Sequence, residues 1–314
     1  MCTLVCVTAP VAFAASDGPP IRLPVPAQAA AAHYTLRTFY SRFGADEVDL
    51  GGSSASGFKW YPWKFFGKTA RMDAITVNAD GSATLFGDTT GPNGQLATAS
   101  PAANGRGFVG VAFGGGGYFE ATLRFNPQDV ARNDLQGWPS WWSMAIEHLI
   151  NRGGAQWPGQ EKGYEHFIEV DFFEYDLRDY IKRGQWNAFG GAMHDWFGLP
   201  SEGYKRVTTP HFVVVREVPS ITDFTQNHRY GFLWVPATGA RTGYAEYYFD
   251  GQKVGSTVAW KHNDFGDPPP RPPWLFSVID SNHLVLILGT GVGEPLTVTS
   301  VEVWQASDDK NMRE

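Results

Sequence analysis

The stretch Ile168-Glu169-Val170-Asp171-Phe172-Phe173-Glu174-Tyr175-Asp176 constrains this chain more than any other. Carboxylates alternate there with large apolar residues, a strand pattern with one acidic and one apolar face. Successive strand side chains point to opposite faces, so Glu169 and Asp171 share one. Glu174 lies five positions after Glu169 and in a regular strand would point the other way. One extra residue, a β-bulge at Phe172-Phe173, returns it to the face of the other two. The two Glu α-carbons would then stand roughly 13 Å apart along the strand. Side chains leaning inward would bring the carboxyl groups to about 5 Å, the separation used by retaining glycosidases. Three acids on one face oppose joint ionisation. The plainer alternative is a solvated edge strand that happens to carry acids. Phe167, Ile168, Val170, Phe172 and Phe173 argue against it, because they mark a strand packed deep in a sheet.

The run resembles the E-x-D-x-x-E signature of glycoside hydrolase family 16, in its bulged, laminarinase-like form. That resemblance implies that Glu169 is the nucleophile, that Asp171 assists it, and that Glu174 is the acid/base. Upstream, Gly137 to Met144 places three indoles, Trp138, Trp141 and Trp142, within five residues. Some of these rings belong to a core, but flat indole faces also suit stacking on sugar rings, burying large area at low entropic cost. The segment resembles the W-P-x-F-W stretch that precedes the catalytic strand in the family, with Trp141 where a Phe usually stands. Downstream, Asn187 to Met193-His194-Asp195-Trp196 is similar to the neighbouring family strand, which ends in a His near the nucleophile. The His194 imidazole could donate to a carboxylate or a sugar hydroxyl. The substrate-binding candidates are therefore Trp138, Trp141, Trp142, His194 and Trp196, while His228 and His283 are read as structural. Trp234-Val235-Pro236 and Tyr248-Phe249-Asp250-Gly251 resemble the family's Y-x-x-x-W-T-P … F-Y-V-D-G hairpin region, with Val235 in place of the usual Thr. The resemblance runs over residues 118 to 305; residues 33 to 117 fit only in their β-rich character.

Composition agrees with a large β-rich domain: 15% aromatics, 36 Gly, 21 Pro and only 18% charged residues in 314. A net charge of −7 argues against a nucleic-acid partner and gives no reason to expect a membrane one. Residues 1–16 read as a secretory signal segment: Thr3 to Ala14 is apolar and Ala12-Phe13-Ala14 is a small-x-small cleavage site, although a basic n-region is missing. Cys2 and Cys6 fall inside it, so the processed chain would lack thiol nucleophiles, Cys-held metals and disulfides. Residues 17–32 are Pro- and Ala-rich and read as a linker; 33–306 form the catalytic domain and 307–314 a polar tail. His148 to Lys162 is expected as a loop bordering the site. Gly114 to Gly117 reads as a turn, since neither phosphate-loop spacing nor a following helix pattern is present.

The expected fold is all-β, a concanavalin-like β-jelly-roll sandwich of two antiparallel sheets. The expected activity is that of an exported, secreted or periplasmic, retaining endo-glycoside hydrolase, acting as a monomer on a β-linked polysaccharide, with β-1,3-glucan first. A galactan hydrolase of agarose or carrageenan type, a transglycosylase, and a non-catalytic carbohydrate-binding protein on the same fold remain alternatives. The chemistry needs no cofactor. The resemblance allows a structural calcium, for which no ligand cluster is assigned. For the acid/base role Glu174 must be held protonated, and Glu169 is expected to be kept low by hydrogen bonds.

Overall fold

Short strands form wherever apolar and polar residues alternate between Gly, Asp and Pro turn signals, because each such strand has one face to bury. The computed structural model describes residues 24–63, 70–87, 94–132, 138–150, 159–175, 187–209, 215–263, 270–289 and 295–313. Its first strands are β1 (Leu36–Ser41), β2 (Ile75–Val77), β3 (Ala83–Leu85), β4 (Gln95–Ala97), β5 (Ala99–Pro101) and β6 (Phe108–Ala112). Next come β7 (Gly117–Phe125), β8 (Ser140–Ala145), β9 (Glu165–Glu174), β10 (Ala188–Gly198), β11 (Lys205–Thr208) and β12 (Val215–Glu217). The last are β13 (His228–Val235), β14 (Gly243–Phe249), β15 (Gln252–Trp260), β16 (Leu284–Gly289), β17 (Leu296–Gln305) and β18 (Met312–Arg313). Among the described residues three short α-helices intervene: α1 (Ala27–Ala31), α2 (Pro127–Arg132) and α3 (Ile146–Leu149).

Two antiparallel sheets stack face to face, the jelly-roll sandwich expected from the sequence. One has seven strands in the order β11-β10-β9-β8-β16-β4, with β12 also pairing β10. The other has eight, β15-β14-β13-β7-β17-β3-β2, with β1 also pairing β17. Between them lies a core rich in aromatics, in which Phe119 (β7) stacks on Phe172 (β9) at 5.7 Å and Phe173 (β9) meets Tyr230 (β13) at 4.4 Å. Each such phenyl contributes about 1.5–3 kcal/mol by leaving water. β14 and β15 turn at Asp250-Gly251, both with positive φ (47° and 81°), the geometry of a tight hairpin whose twist matches its strands.

The chain ends depart from expectation. The signal segment and residues 17–23 of the linker lie outside the described residues. From residue 24 the linker reading fails, because α1 packs on the outer face of the eight-stranded sheet. Ala29 is buried there in a second cluster with Tyr34, Tyr118, Leu233, Val235, Tyr248 and Trp304, and Gln28 Nε2 donates to Tyr118 Oη at 2.6 Å. Alanine-rich composition suits a helix lying close against a sheet as well as it suits a linker. The polar tail is likewise partly structured, since β18 pairs β6 in a small third sheet β18-β6-β5. Met312 packs against the main core and supplies the reason.

Candidate active site

The central strand of the site is β9, and its irregularity is visible from both neighbours. On β8, the adjacent Trp141 and Trp142 pair with Phe173 and Asp171. On β10, Gly190 and Ala192 pair with Glu174 and Asp171. In both ladders β9 carries one residue too many, at the expected Phe172-Phe173. Both phenyl rings turn inward, Phe172 against Phe232 (4.9 Å) and Trp141 (4.6 Å), Phe173 against Phe125 (5.5 Å) and Phe189 (5.6 Å). Two consecutive core residues reset the alternation, so Glu174 returns to the outer face with Glu169 and Asp171.

Among the described residues, that face carries larger side chains at the Glu169 end than at the Glu174 end. Across the sheet Glu169 is opposed by Met144 and His194, and Asp171 by Trp142 and Ala192. Glu174 is opposed by Ser140 and Gly190, two of the smallest residues. Glu169 and Glu174 are half-buried; Asp171 is buried.

Asp171 Oδ2 is 2.8 Å from His194 Nε2, and His194 Nδ1 is 2.8 Å from Thr208 Oγ1 on β11. Burial pulls the imidazole down, but the hydrogen bond and charge of Asp171 and the charge of Glu169 outweigh it, so His194 is held above its ordinary value. Trp196 Nε1 donates to Glu169 Oε2 at 2.6 Å. Burial, then the Asp171 charge, push the Glu169 carboxyl up to about 7, against the opposing pull of His194, the Trp196 hydrogen bond and Arg206. This reverses the low value expected for Glu169: a donor is present, but desolvation and a neighbouring carboxylate outweigh it.

Of the five aromatic and histidine candidates, three stand with the acids: Trp142 opposite Asp171, His194 opposite Glu169, and Trp196 bonded to it. Trp138 precedes β8 and is exposed. Trp141 must be reassigned. It is fully buried, and its ring packs on Phe172 in the core, because adjacent residues of β8 cannot both face the site.

Sequence reasoning missed a group beside Glu169. Phe167 lies on the acid face by simple alternation, and that parity was legible. His148 belongs to α3 rather than to the expected loop, and stacks on Phe167 at 3.9 Å. Glu165 Oε2 accepts a hydrogen bond from Tyr204 Oη (2.8 Å) and lies 2.7 Å from His148 Nδ1. Arg206 and Thr208 arrive from β11, whose pairing with β10 no local pattern announces. The expected loop's remainder, 151–158, lies outside the described residues. His228 and His283 bond Asp250 and Glu147 as structural histidines do (2.8 and 2.6 Å). Among the described residues, no group of three or more His, Cys, Asp or Glu could hold a metal ion.

Compared with known proteins, no family model matches the sequence and no curated protein matches it. Solved structures do. β-Agarase A in complex with oligoagarose shares 14% identity over 90% of each chain, with a TM-score of 0.50. An endo-1,3-β-glucanase from Streptomyces sioyaensis shares 16% over 89% of this chain and 97% of that one, TM-score 0.49. A glycoside hydrolase family 16 endo-glucanase from Bacteroides ovatus shares 12% over 74% and 85%, TM-score 0.44. At these identities the likeness is one of fold alone, the fold that β-agarase A also has.

Proposed function

We propose that this chain is a retaining glycoside hydrolase that cleaves a β-linked polysaccharide outside the cytoplasm. The observation that carries this reading is the β9 bulge, which brings Glu169, Asp171 and Glu174 to one face of a sheet. Ionised Glu169 attacks the anomeric carbon and forms an ester, while Glu174 gives its proton to the departing glycosidic oxygen. Glu174 then takes a proton from water, which attacks the same carbon and releases Glu169. Asp171, held by His194, carries the negative charge beside Glu169 and tunes the pair. Trp196 holds Glu169 through its N–H. The bulged spacing and the tryptophan-rich surroundings favour β-1,3-glucan, with agarose or carrageenan second. The apolar stretch from Thr3 to Ala14 favours export, to a periplasmic or extracellular site.

The test is reducing-end release from laminarin, agarose and carrageenan, followed by azide rescue of two variants. Glu174→Ala should give a β-azide product and Glu169→Ala an α-azide product. Exchanged stereochemistry would swap the two roles. Binding without cleavage by the wild type would favour a carbohydrate-binding protein, and oligosaccharide transfer without net hydrolysis a transglycosylase.

A further inference from the structure

A column of flat groups crosses the seven-stranded sheet beside Glu169. His148 (α3) lies on Phe167 (β9) with an interplanar angle of 11°, and Phe167 lies on Trp196 (β10) at 6.3 Å and 10°. Trp196 pairs with Phe167 on one side and Arg206 on the other, so the guanidinium covers the opposite face of the indole, 4.9 Å from a ring centre. One end of the column is pinned by Glu165, which ties His148 and Tyr204. The other end is Arg206 itself.

Arg206 is exposed on an edge strand and forms no ion pair among the described residues. Taken alone it would be an ordinary surface cation–π contact, worth about 0.5–1 kcal/mol. The indole it covers, however, donates its N–H to Glu169 at 2.6 Å. A cation on the ring face and a carboxylate on the ring edge both favour that orientation of the N–H dipole.

Among the described residues, the charges that face Glu169 come from three strands. β9 supplies Asp171 and Glu174, with Glu165 further along and already bonded to His148 and Tyr204; β10 supplies His194; β11 supplies Arg206. β8 contributes the uncharged Met144. Among these groups Arg206 is the permanent cation, since His194 is charged only when protonated.

We propose that Arg206 is a positioning residue for Glu169, clamping the Trp196 indole so that its N–H stays on the carboxylate and lending the positive charge that keeps Glu169 ionised. This rests on the reading of Glu169 as nucleophile. The effect travels through Trp196 and through space, with no contact to substrate required.

The experiment uses Arg206→Gln and Arg206→Lys. kcat/KM is followed against pH at low and high salt, on whichever polysaccharide the wild type cleaves. In parallel, the Glu169 carboxyl is titrated by 13C NMR, each protein being compared with its own Glu169→Gln double variant. In Arg206→Gln the acid limb should move to higher pH, with roughly a two- to fivefold loss of kcat/KM below the limb, the range of an exposed charge pair. High salt should shrink the difference, and Arg206→Lys should restore most of it. The NMR titration should move in the same direction. An Arg206→Gln profile that overlays the wild type at low salt would overturn the proposal. So would a Lys variant as impaired as the Gln one, or a raised KM with an unmoved limb, which would make Arg206 a substrate contact. Because the titration needs no turnover, it stands or falls separately from the nucleophile assignment, which fails only if Glu169→Ala retains activity.

Discussion

Glu169 and Asp280 are two half-buried carboxyls that burial pushes upward, and both accept hydrogen bonds from indoles. Asp280 sits in the turn Ser277–Ser281 and takes three donors: Trp234 Nε1 at 3.0 Å, Trp260 Nε1 at 2.7 Å and Ala237 N at 3.0 Å. They join that turn to β13 and β15, and the turn in turn is fastened to β10, where Phe276 N donates to Asp195 at 3.0 Å. Glu169 has one donor among the described residues, Trp196, and a second carboxylate, Asp171, as its neighbour. The difference separates a carboxyl used as a fastening from one left available for chemistry. A structural acid surrounds its charge with fixed donors; an acid kept for reaction is left with spare acceptor capacity and a charge that is costly to hold.

The sharpest contrast is in activity. Glu169→Ala should lose about four orders of magnitude or more in kcat/KM, since no covalent intermediate can form. Asp280→Asn should stay within about threefold of wild type wherever it remains folded. A comparable loss in Asp280→Asn at full folding would mean that the turn serves the reaction directly.

Stability should run the other way. Asp280→Asn turns an amide N–H₂ toward donors and leaves at least one buried N–H unpaired, which should cost about 2–3 kcal/mol in urea unfolding. Glu169→Gln should cost nothing at neutral pH and above.

The Glu169 effect also has a pH signature. Its folded value lies near 7 and its ordinary value is 4.5, so between those limits the native state holds a proton that the unfolded state has released. Stability from this group is therefore present below about pH 4.5 and lost as pH rises towards 7. Glu169→Gln should match wild type near pH 4.5 and exceed it by about 1–3 kcal/mol above pH 7. A difference that shrinks with rising pH would show that Glu169 is not the strained carboxyl.

Much of this was legible in the sequence because it is written in local period. The parity of Glu169, Asp171 and Glu174 demands a bulge for any common face, and the adjacent phenylalanines say where it falls. The turn at Asp250-Gly251 and most strands were legible for the same reason. What escaped reading depends on which strand lies beside which. Thr208 and Arg206 reach the site only because β11 pairs β10, and His148 only because α3 folds over Phe167. Trp141 was misassigned although its alternation with Trp142 was available: both are tryptophans, and residue type outweighed parity. Glu169 was expected low because donors were counted and desolvation was not.

The smallest effect probes the indole bonds themselves. Trp196→Phe removes the one described donor to Glu169 but keeps a ring between Phe167 and Arg206. Trp260→Phe removes one of three donors to Asp280 and leaves Ala237 N on the same oxygen. A net hydrogen bond is worth about 1 kcal/mol. At Asp280 that amount should appear as lost stability, with the pH profile of turnover unchanged. At Glu169 the loss falls mainly on the ionised form, since an N–H bonds a carboxylate more strongly than the carbonyl oxygen of a neutral carboxyl. The carboxyl should then rise further, the acid limb of kcat/KM should move to higher pH, and activity below the limb should fall roughly fivefold while the melting temperature moves little. Acid-limb shifts of equal size in both variants would mean that the two carboxyls are linked through the turn at Ser277–Ser281. A Trp196→Phe variant with an unmoved limb and a lowered melting temperature would place that indole among the fastenings instead.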